Sequence, residues 1–265
     1  MRFFGRDLPV AYKAPDQPLT EADLAADALL RELLLGARPE YGWLSEETRD
    51  QPDRLTSRRV WIVDPIDGTR SFIAKRPEFA ISIGLVHVGR PIVGVVYNPA
   101  RAELFHAVRG GGAFVERGGT APVRLRVSAR QLRNGVTMLA SRSEIAAGEF
   151  DAFRDEWRIQ PAGSTAYKLA GIAESQGDAF VSRGPKSEWD ICAGVLLVSE
   201  AGGRATDLSG AEAQFNCADP YVHGMLATNG ALHDALLARI RHLPVPERLR
   251  ERTRDPLHPG LEKGE

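Results

Sequence analysis

Trp61-Ile62-Val63-Asp64-Pro65-Ile66-Asp67-Gly68-Thr69 runs from an apolar strand straight into two carboxylates, a glycine and a threonine. Two acids at the mouth of a buried strand are costly unless a cation lies between them. Gly68 and Thr69 add backbone N–H groups and a hydroxyl, which suit a phosphate oxygen. A hard divalent cation held by carboxylates beside a phosphate is the equipment of metal-dependent phosphoryl chemistry. The ordinary alternative for Asp64 and Asp67, a turn with two solvated acids, fits poorly with the apolar strand that delivers them.

Outward from that stretch, the chain has 265 residues, enough for one large domain or two fused halves. Its 34 basic and 35 acidic residues nearly cancel, which argues against a nucleic-acid polymer or a membrane surface as partner. Two cysteines, Cys192 and Cys217, make no disulfide framework and fit a reducing cytoplasm. No apolar run is long enough to cross a bilayer, and the first residues lack a signal-peptide core, so a cytoplasmic location is expected.

Thr20 reads as the N-cap of a helix carrying Leu24, Ala28, Leu29 and Leu33, ended by Gly36 and Pro39. Val60–Val63 reads as a buried strand. Phe79–Val88 and Pro91–Tyr97 read as a hairpin, followed by further strands at 103–108, 113–116 and 123–127. The second half mixes strands (136–140, 179–181, 225–228) with helices beginning near Ser164, Glu188 and Ala231. This order predicts a layered α+β fold with two sheets. The expected division is an N-terminal half over 1–130 with most metal ligands, a C-terminal half over 131–243, and a Pro- and charge-rich tail over 244–265, with the site at the junction of the halves.

Four places matter together: Asp23, Glu46-Glu47, the Asp64–Thr69 segment, and Glu188-Trp189-Asp190-Ile191-Cys192-Ala193-Gly194. This set resembles the inositol monophosphatase superfamily of lithium-sensitive, Mg²⁺-dependent phosphatases, with both signatures in order over nearly the whole chain. The resemblance implies an alternating α/β/α/β/α sandwich. It implies Mg²⁺, two or three ions per site, with Mn²⁺ as a substitute and Li⁺ as an inhibitor. It assigns Glu46, Asp64 and the carbonyl of Ile66 to one metal, and Asp64, Asp67 and Asp190 to a second. Thr69 and Asp23 resemble the family's water-activating pair, although Asp23 also suits a helix start. Glu47 points away from Glu46 in an extended segment and acts through water or remains a solvated acid. Relatives are often homodimers.

The resemblance implies a small phosphorylated substrate, with Asp67, Gly68, Thr69, Ser164, Arg183, Lys186 and Asp190 as its expected contacts. Arg183 stands where inositol-preferring relatives carry an acid, and Arg and Lys favour a second phosphate over hydroxyls. Gly184-Pro185, Ser141-Arg142-Ser143 and Gly163–Lys168 are similar to the 3′(2′),5′-bisphosphate nucleotidase branch. Glu144 departs from that branch, where histidine is common, and the stretch before Lys13 is short. The expectation is hydrolysis of adenosine 3′,5′-bisphosphate to AMP and phosphate. The alternatives are an inositol or sugar monophosphate and, in another class, a silent phosphate-binding sensor.

Overall fold

The computed structural model describes residues 1–14, 17–132, 135–244 and 246, so all of the expected tail except Pro244 and Pro246 lies outside the described residues. A short hairpin, β1 (Ala11–Ala14) and β2 (Gln17–Leu19), precedes helix α1 (Glu21–Ala37). Thr20 caps α1 through a reciprocal box with Asp23. A seven-stranded sheet then builds from β3 (Gly42–Ser45), β4 (Arg59–Asp67), β5 (Ala80–His87), β6 (Arg90–Asn98), β7 (Glu103–Val108), β8 (Gly112–Arg117) and β9 (Val123–Arg124), in chain order across the sheet. Only the β3–β4 pair is parallel. The short helix α2 (Thr69–Ile73) follows β4 directly.

The second sheet, in the order β11-β10-β12-β14-β13, comprises β10 (Thr137–Ala140), β11 (Arg158–Pro161), β12 (Ala179–Ser187), β13 (Arg204–Thr206) and β14 (Tyr221–Thr228). Helices α3 (Arg142–Ala146), α4 (Thr165–Ala173), α5 (Glu188–Glu200) and α6 (His233–Arg241) belong to this half. α4 and α5 lie between the two sheets, and one apolar core joins Val86, Val96 and Phe105 of the first sheet to Phe180 and Ala227 of the second through Leu169, Ile191 and Leu197. A second core places Leu236 and Ile240 of α6, with Phe150, Phe153 and Trp157, on the far face of the small sheet. With α1 outside β4, the layers alternate α/β/α/β/α.

Close helix–sheet approach explains why small residues recur where α5 crosses the large sheet. A Cβ on Gly84 would overlap Cys192 Sγ and stand 3.0 Å from its Cβ; one on Gly94 would lie 2.7 Å from the Ala193 carbonyl oxygen. On the other side of α5, a Cβ on Gly194 would meet the Leu169 side chain. The helix is therefore seated flat on β5 and β6, with its first turn over the end of β4.

Candidate active site

The site is built from chain reversals at the ends of those seated elements. β4 pairs regularly with β5 through Asp64↔Ser82, then shifts register before Asp67↔Ala80. The bulge falls at Pro65-Ile66, where proline has no N–H to contribute to a ladder. It turns both aspartates to one cleft, and the Ile66 N–H folds back onto Asp64 Oδ1 at 3.0 Å. Gly68 follows at φ +93°, and a Cβ there would stand 3.2 Å from the Ser164 nitrogen. Only glycine makes this left-handed turn without strain while α4 begins so close. Ser82 Oγ donates to the Trp189 carbonyl at 3.0 Å, tying the start of α5 to the same strand pair.

Glu46, Asp64 and Asp190 bring one carboxylate oxygen each within 4.8 Å of one another. Burial raises Asp64 well above the ordinary range, and Glu46, Asp67 and Asp190 add repulsion. Burial with the charges of Asp67 and Glu46 pushes Asp190 up to about 8, against the opposing pull of Lys186. Hard oxygen donors crowded at this cost fit a small divalent cation, which the carboxylates would stabilise as it stabilises them. Asp67 lies beside this triad with a different set of partners. Its Oδ2 accepts from Ser164 Oγ at 2.6 Å and from the Ala166 N–H at 2.5 Å, so Asp67 also fixes the start of α4. Ser164 in turn accepts from the Tyr167 N–H as the N-cap.

Asp23 is fully buried and serves two elements. Oδ2 accepts from the Thr20 backbone at 2.8 Å and its hydroxyl at 2.6 Å, while Oδ1 stands 3.1 Å from Thr69 Oγ1. Thr69 Oγ1 is also 3.1 Å from the Ile66 carbonyl. Asp27, one turn further along α1, escaped sequence reasoning. It accepts from Ser45 Oγ at 2.5 Å and Thr48 Oγ1 at 2.6 Å, anchoring both ends of the loop that carries Glu46 and Glu47. Its signal was its spacing: four residues after Asp23 puts it on the same buried side of α1. Lys13 also escaped. Its ammonium bridges Glu46 at 2.7 Å and Glu47 at 3.0 Å. Burial beside Glu46 still pushes Glu47 up to about 7, with Lys13 opposing. Glu47 does not line the cleft.

The cleft has a volume of about 480 Å³. Opposite the acids stand Lys168 and Lys186. Lys168 is buried and donates to Ser141 Oγ at 2.9 Å; burial and the neighbouring charge of Lys186 lower it to about 8. Behind them Glu144 accepts from Ser182 Oγ at 2.8 Å. Burial pushes Glu144 up, but Lys186 and Lys168 outweigh it and hold the carboxyl below its usual range. Arg183 requires a correction. Sequence reasoning set it beside Lys186 as a phosphate reader, but it does not line the cleft, and its guanidinium donates to the Leu243 and Pro244 carbonyls at 3.1 and 2.6 Å. The physical reason lies in a bulge of the strand. The register shift between Ser182 and Pro185 inserts an extra residue on β12 and interrupts the regular alternation, and Arg183, within that irregular stretch, is held by the two carbonyls.

Comparison with known proteins places these features in context. The model of the inositol monophosphatase family matches residues 2–244. An inositol-1-monophosphatase of Rhizobium meliloti is 38% identical over 219 residues, 79% of this chain and 80% of the relative. A 3′(2′),5′-bisphosphate nucleotidase CysQ of Aggregatibacter actinomycetemcomitans is 29% identical, with 83% of each chain covered. Among solved structures, an IMPase of Thermotoga maritima superposes with a TM-score of 0.78 at 31% identity, covering 91% of this chain and 90% of its own.

Proposed function

This chain belongs to the inositol monophosphatase family and is a metal-dependent phosphoric monoester hydrolase; from that premise we propose that it hydrolyses an inositol or related sugar monophosphate with Mg²⁺. The observation that carries this choice is Arg183, whose guanidinium is turned to the Leu243 and Pro244 carbonyls and does not line the cleft. Arg183 so placed lends no support to a second-phosphate contact at that position. The greater similarity to inositol monophosphatases than to the nucleotidase agrees with it. One observation favours the nucleoside bisphosphate as a second reading: Lys168 and Lys186, with Arg70, Arg76 and Arg142, line the cleft as cations beyond the acid cluster. The silent-sensor reading has no support, since every acid expected to hold metal is present at the cleft.

Glu46, Asp64 and Asp190 would hold the ion, with Asp67 and the Ile66 carbonyl as further oxygen donors for a second. When bound, the metal supplies charge that polarises the phosphoryl group and acidifies water at the site. The chain's own residues do the rest. Asp23 Oδ1 accepts the Thr69 hydroxyl hydrogen bond, so as the attacking water gives a proton to Thr69 Oγ1, the threonine's own proton passes to Asp23. Gly68 and Thr69 present backbone N–H groups to the phosphate, and Lys168 and Lys186 balance its charge. Li⁺ inhibits by taking a metal position with half the charge.

The test is kcat/KM measured side by side for inositol 1-phosphate, adenosine 3′,5′-bisphosphate and fructose 1,6-bisphosphate, with Mg²⁺ and with Mn²⁺. Inositol 1-phosphate should lead. A nucleotide advantage of tenfold or more would hand the assignment to the second reading.

A further inference from the structure

Arg54 lies in the link between β3 and β4, is only 2% exposed, and does not line the cleft. A buried guanidinium has to place its donors on partners. Nε and Nη2 make a fork on Asp50, to Oδ1 at 2.6 Å and Oδ2 at 2.7 Å. Nη1 donates to Asn216 Oδ1 at 2.8 Å, and Nη2 also donates to the Cys217 carbonyl at 2.9 Å. Asn216 returns a bond from Nδ2 to the Arg54 carbonyl at 3.0 Å. One side chain thus joins two segments 162 residues apart in the chain.

Each segment leads to a carboxylate of the metal triad. Asp50 stands on the loop that starts at Glu46, and Asp27 fixes the near end of that loop through Ser45 and Thr48. On the other side Asn216 sits at φ +61°, a left-handed turn that asparagine tolerates better than most side chains. The turn aims two successive N–H groups at one point, a backbone nest for an anion. Its occupant is Glu188, which is fully buried and accepts from the Asn216 N–H at 2.6 Å and the Cys217 N–H at 2.9 Å. Glu188 is the first residue of α5, and Asp190 follows it in the same turn. The route from Glu46 to Asp190 is therefore unbroken: the loop to Asp50, the Arg54 fork, the Asn216–Cys217 nest, and Glu188.

We propose that Arg54 is a positioning residue for the metal site, setting the separation of Glu46 and Asp190 and with it the size of cation the triad accepts. The proposal rests on the metal reading of that triad. Asp64 is held in the β4–β5 ladder, whereas Glu46 comes from a loop and Asp190 from a helix of the other half of the chain. Ser82 ties α5 to the sheet, and the Arg54 network ties it to the loop of Glu46. The fork matters as well as the charge. A guanidinium fixes a carboxylate and two further acceptors in one plane, which the point charge of an ammonium cannot do. Mg²⁺ demands near-octahedral oxygens at about 2.0–2.1 Å, whereas Ca²⁺ accepts looser sets at about 2.3–2.6 Å. Mg²⁺ is therefore the ion that loses most when the spacing of Glu46 and Asp190 loosens.

The test is metal binding without turnover. Electron paramagnetic resonance reads Mn²⁺ uptake by the full chain, and Mg²⁺ and Ca²⁺ are then titrated in as competitors. The variants are Arg54→Lys, Asn216→Gly and Asp50→Asn, with Asp178→Asn as control and thermal melts to report folding. Asn216→Gly suits the left-handed turn and removes only the side-chain bonds with Arg54. The Asp50 side chain is 43% exposed, so Asp50→Asn stays informative if Arg54→Lys misfolds. Asp178 is a buried carboxylate tied to Ser128 and the Thr137 N–H, and it does not line the cleft. Each network variant should weaken Mg²⁺ by roughly tenfold to a hundredfold, and Ca²⁺ by less, so that the preference for Mg²⁺ over Ca²⁺ narrows. Asp178→Asn should lower Tm and leave both affinities at the wild-type value. Folded network variants with wild-type Mg²⁺ affinity overturn the proposal, since Arg54 then only stabilises the fold. An equal loss of Mg²⁺ and Ca²⁺ overturns the size-selecting role, and the same shift in Asp178→Asn overturns the specific one. A wild type that takes up no Mn²⁺ overturns the metal reading of the triad, and this proposal with it.

Discussion

Gly94→Ala should disable the enzyme from across the sheet, without touching a site residue. The new Cβ would stand 2.7 Å from the Ala193 carbonyl oxygen and 3.1 Å from the Ala193 Cα, against an ordinary contact of 3.4 Å or more. The obstacle is backbone, so no rotamer relieves it, and α5 must lift by roughly 0.7 Å. Asp190 lies one turn before Ala193 and moves with the helix. Overpacking of this kind costs about 1–3 kcal/mol, which for a chain of this size lowers Tm by about 2–10 °C. A misplacement approaching 1 Å at a site that wants octahedral geometry lowers turnover by about tenfold to a hundredfold. The assay is a Mg²⁺ titration of kcat/KM beside a thermal melt, with Gly84→Ala as the contrast. At Gly84 the obstacle is the Cys192 side chain, so Gly84→Ala/Cys192→Ala should recover part of the loss, whereas no side-chain change should rescue Gly94→Ala. Unchanged melting and unchanged Mg²⁺ half-saturation in Gly94→Ala would refute the idea that helix seating positions Asp190.

Asp190→Asn should nearly abolish turnover at saturating Mg²⁺ while the metal-free protein becomes more stable, because one of four mutually repelling carboxylates is neutralised; denaturation in EDTA reads the second effect. Asp27→Ala removes two short hydrogen bonds to a carboxylate and should cost about 2–4 kcal/mol in urea denaturation, with a raised Mg²⁺ requirement as the Glu46 loop loosens. His233 is buried between Thr206 and Thr228; burial, with Arg204 nearby, lowers it to about 4 from an ordinary 6.5. The folded state therefore prefers the neutral ring, so its stabilising contribution is complete above pH 6.5 and fades as pH falls toward 4. The loss is about 3 kcal/mol at most, read as the difference in pH slope between wild type and His233→Gln. Arg183→Ala should leave the ratio of bisphosphate to monophosphate hydrolysis within twofold of wild type, since its guanidinium serves the Leu243–Pro244 turn; a selective tenfold loss with the bisphosphate would restore it to the site.

What the sequence made legible was chemistry that is local in the chain. Asp64, Pro65, Asp67 and Gly68 sit in one bulge, so residue types alone imply a turn that aims two carboxylates the same way. The cap of α1 was readable for the same reason, since Thr20 and Asp23 are three apart and satisfy each other. What stayed hidden depends on contacts between distant segments. Nothing local marks Lys13, whose partners lie 33 and 34 residues away, or assigns the Asp27 carboxylate to Ser45 and Thr48. The small strands β1, β2, β11 and β13 were unread because three or four residues carry too little periodicity. Arg183 is a different kind of miss, for a bulge between Ser182 and Pro185 breaks the alternation along β12, and nothing in the residue types announced it. Charge suggested a pair of phosphate readers where geometry allowed one. The outward Ile81, Ile83 and Leu85 were equally visible in the sequence as an apolar run. Only the pairing register shows that this run lies on the sheet face turned away from α5, opposite Ser82 and Gly84.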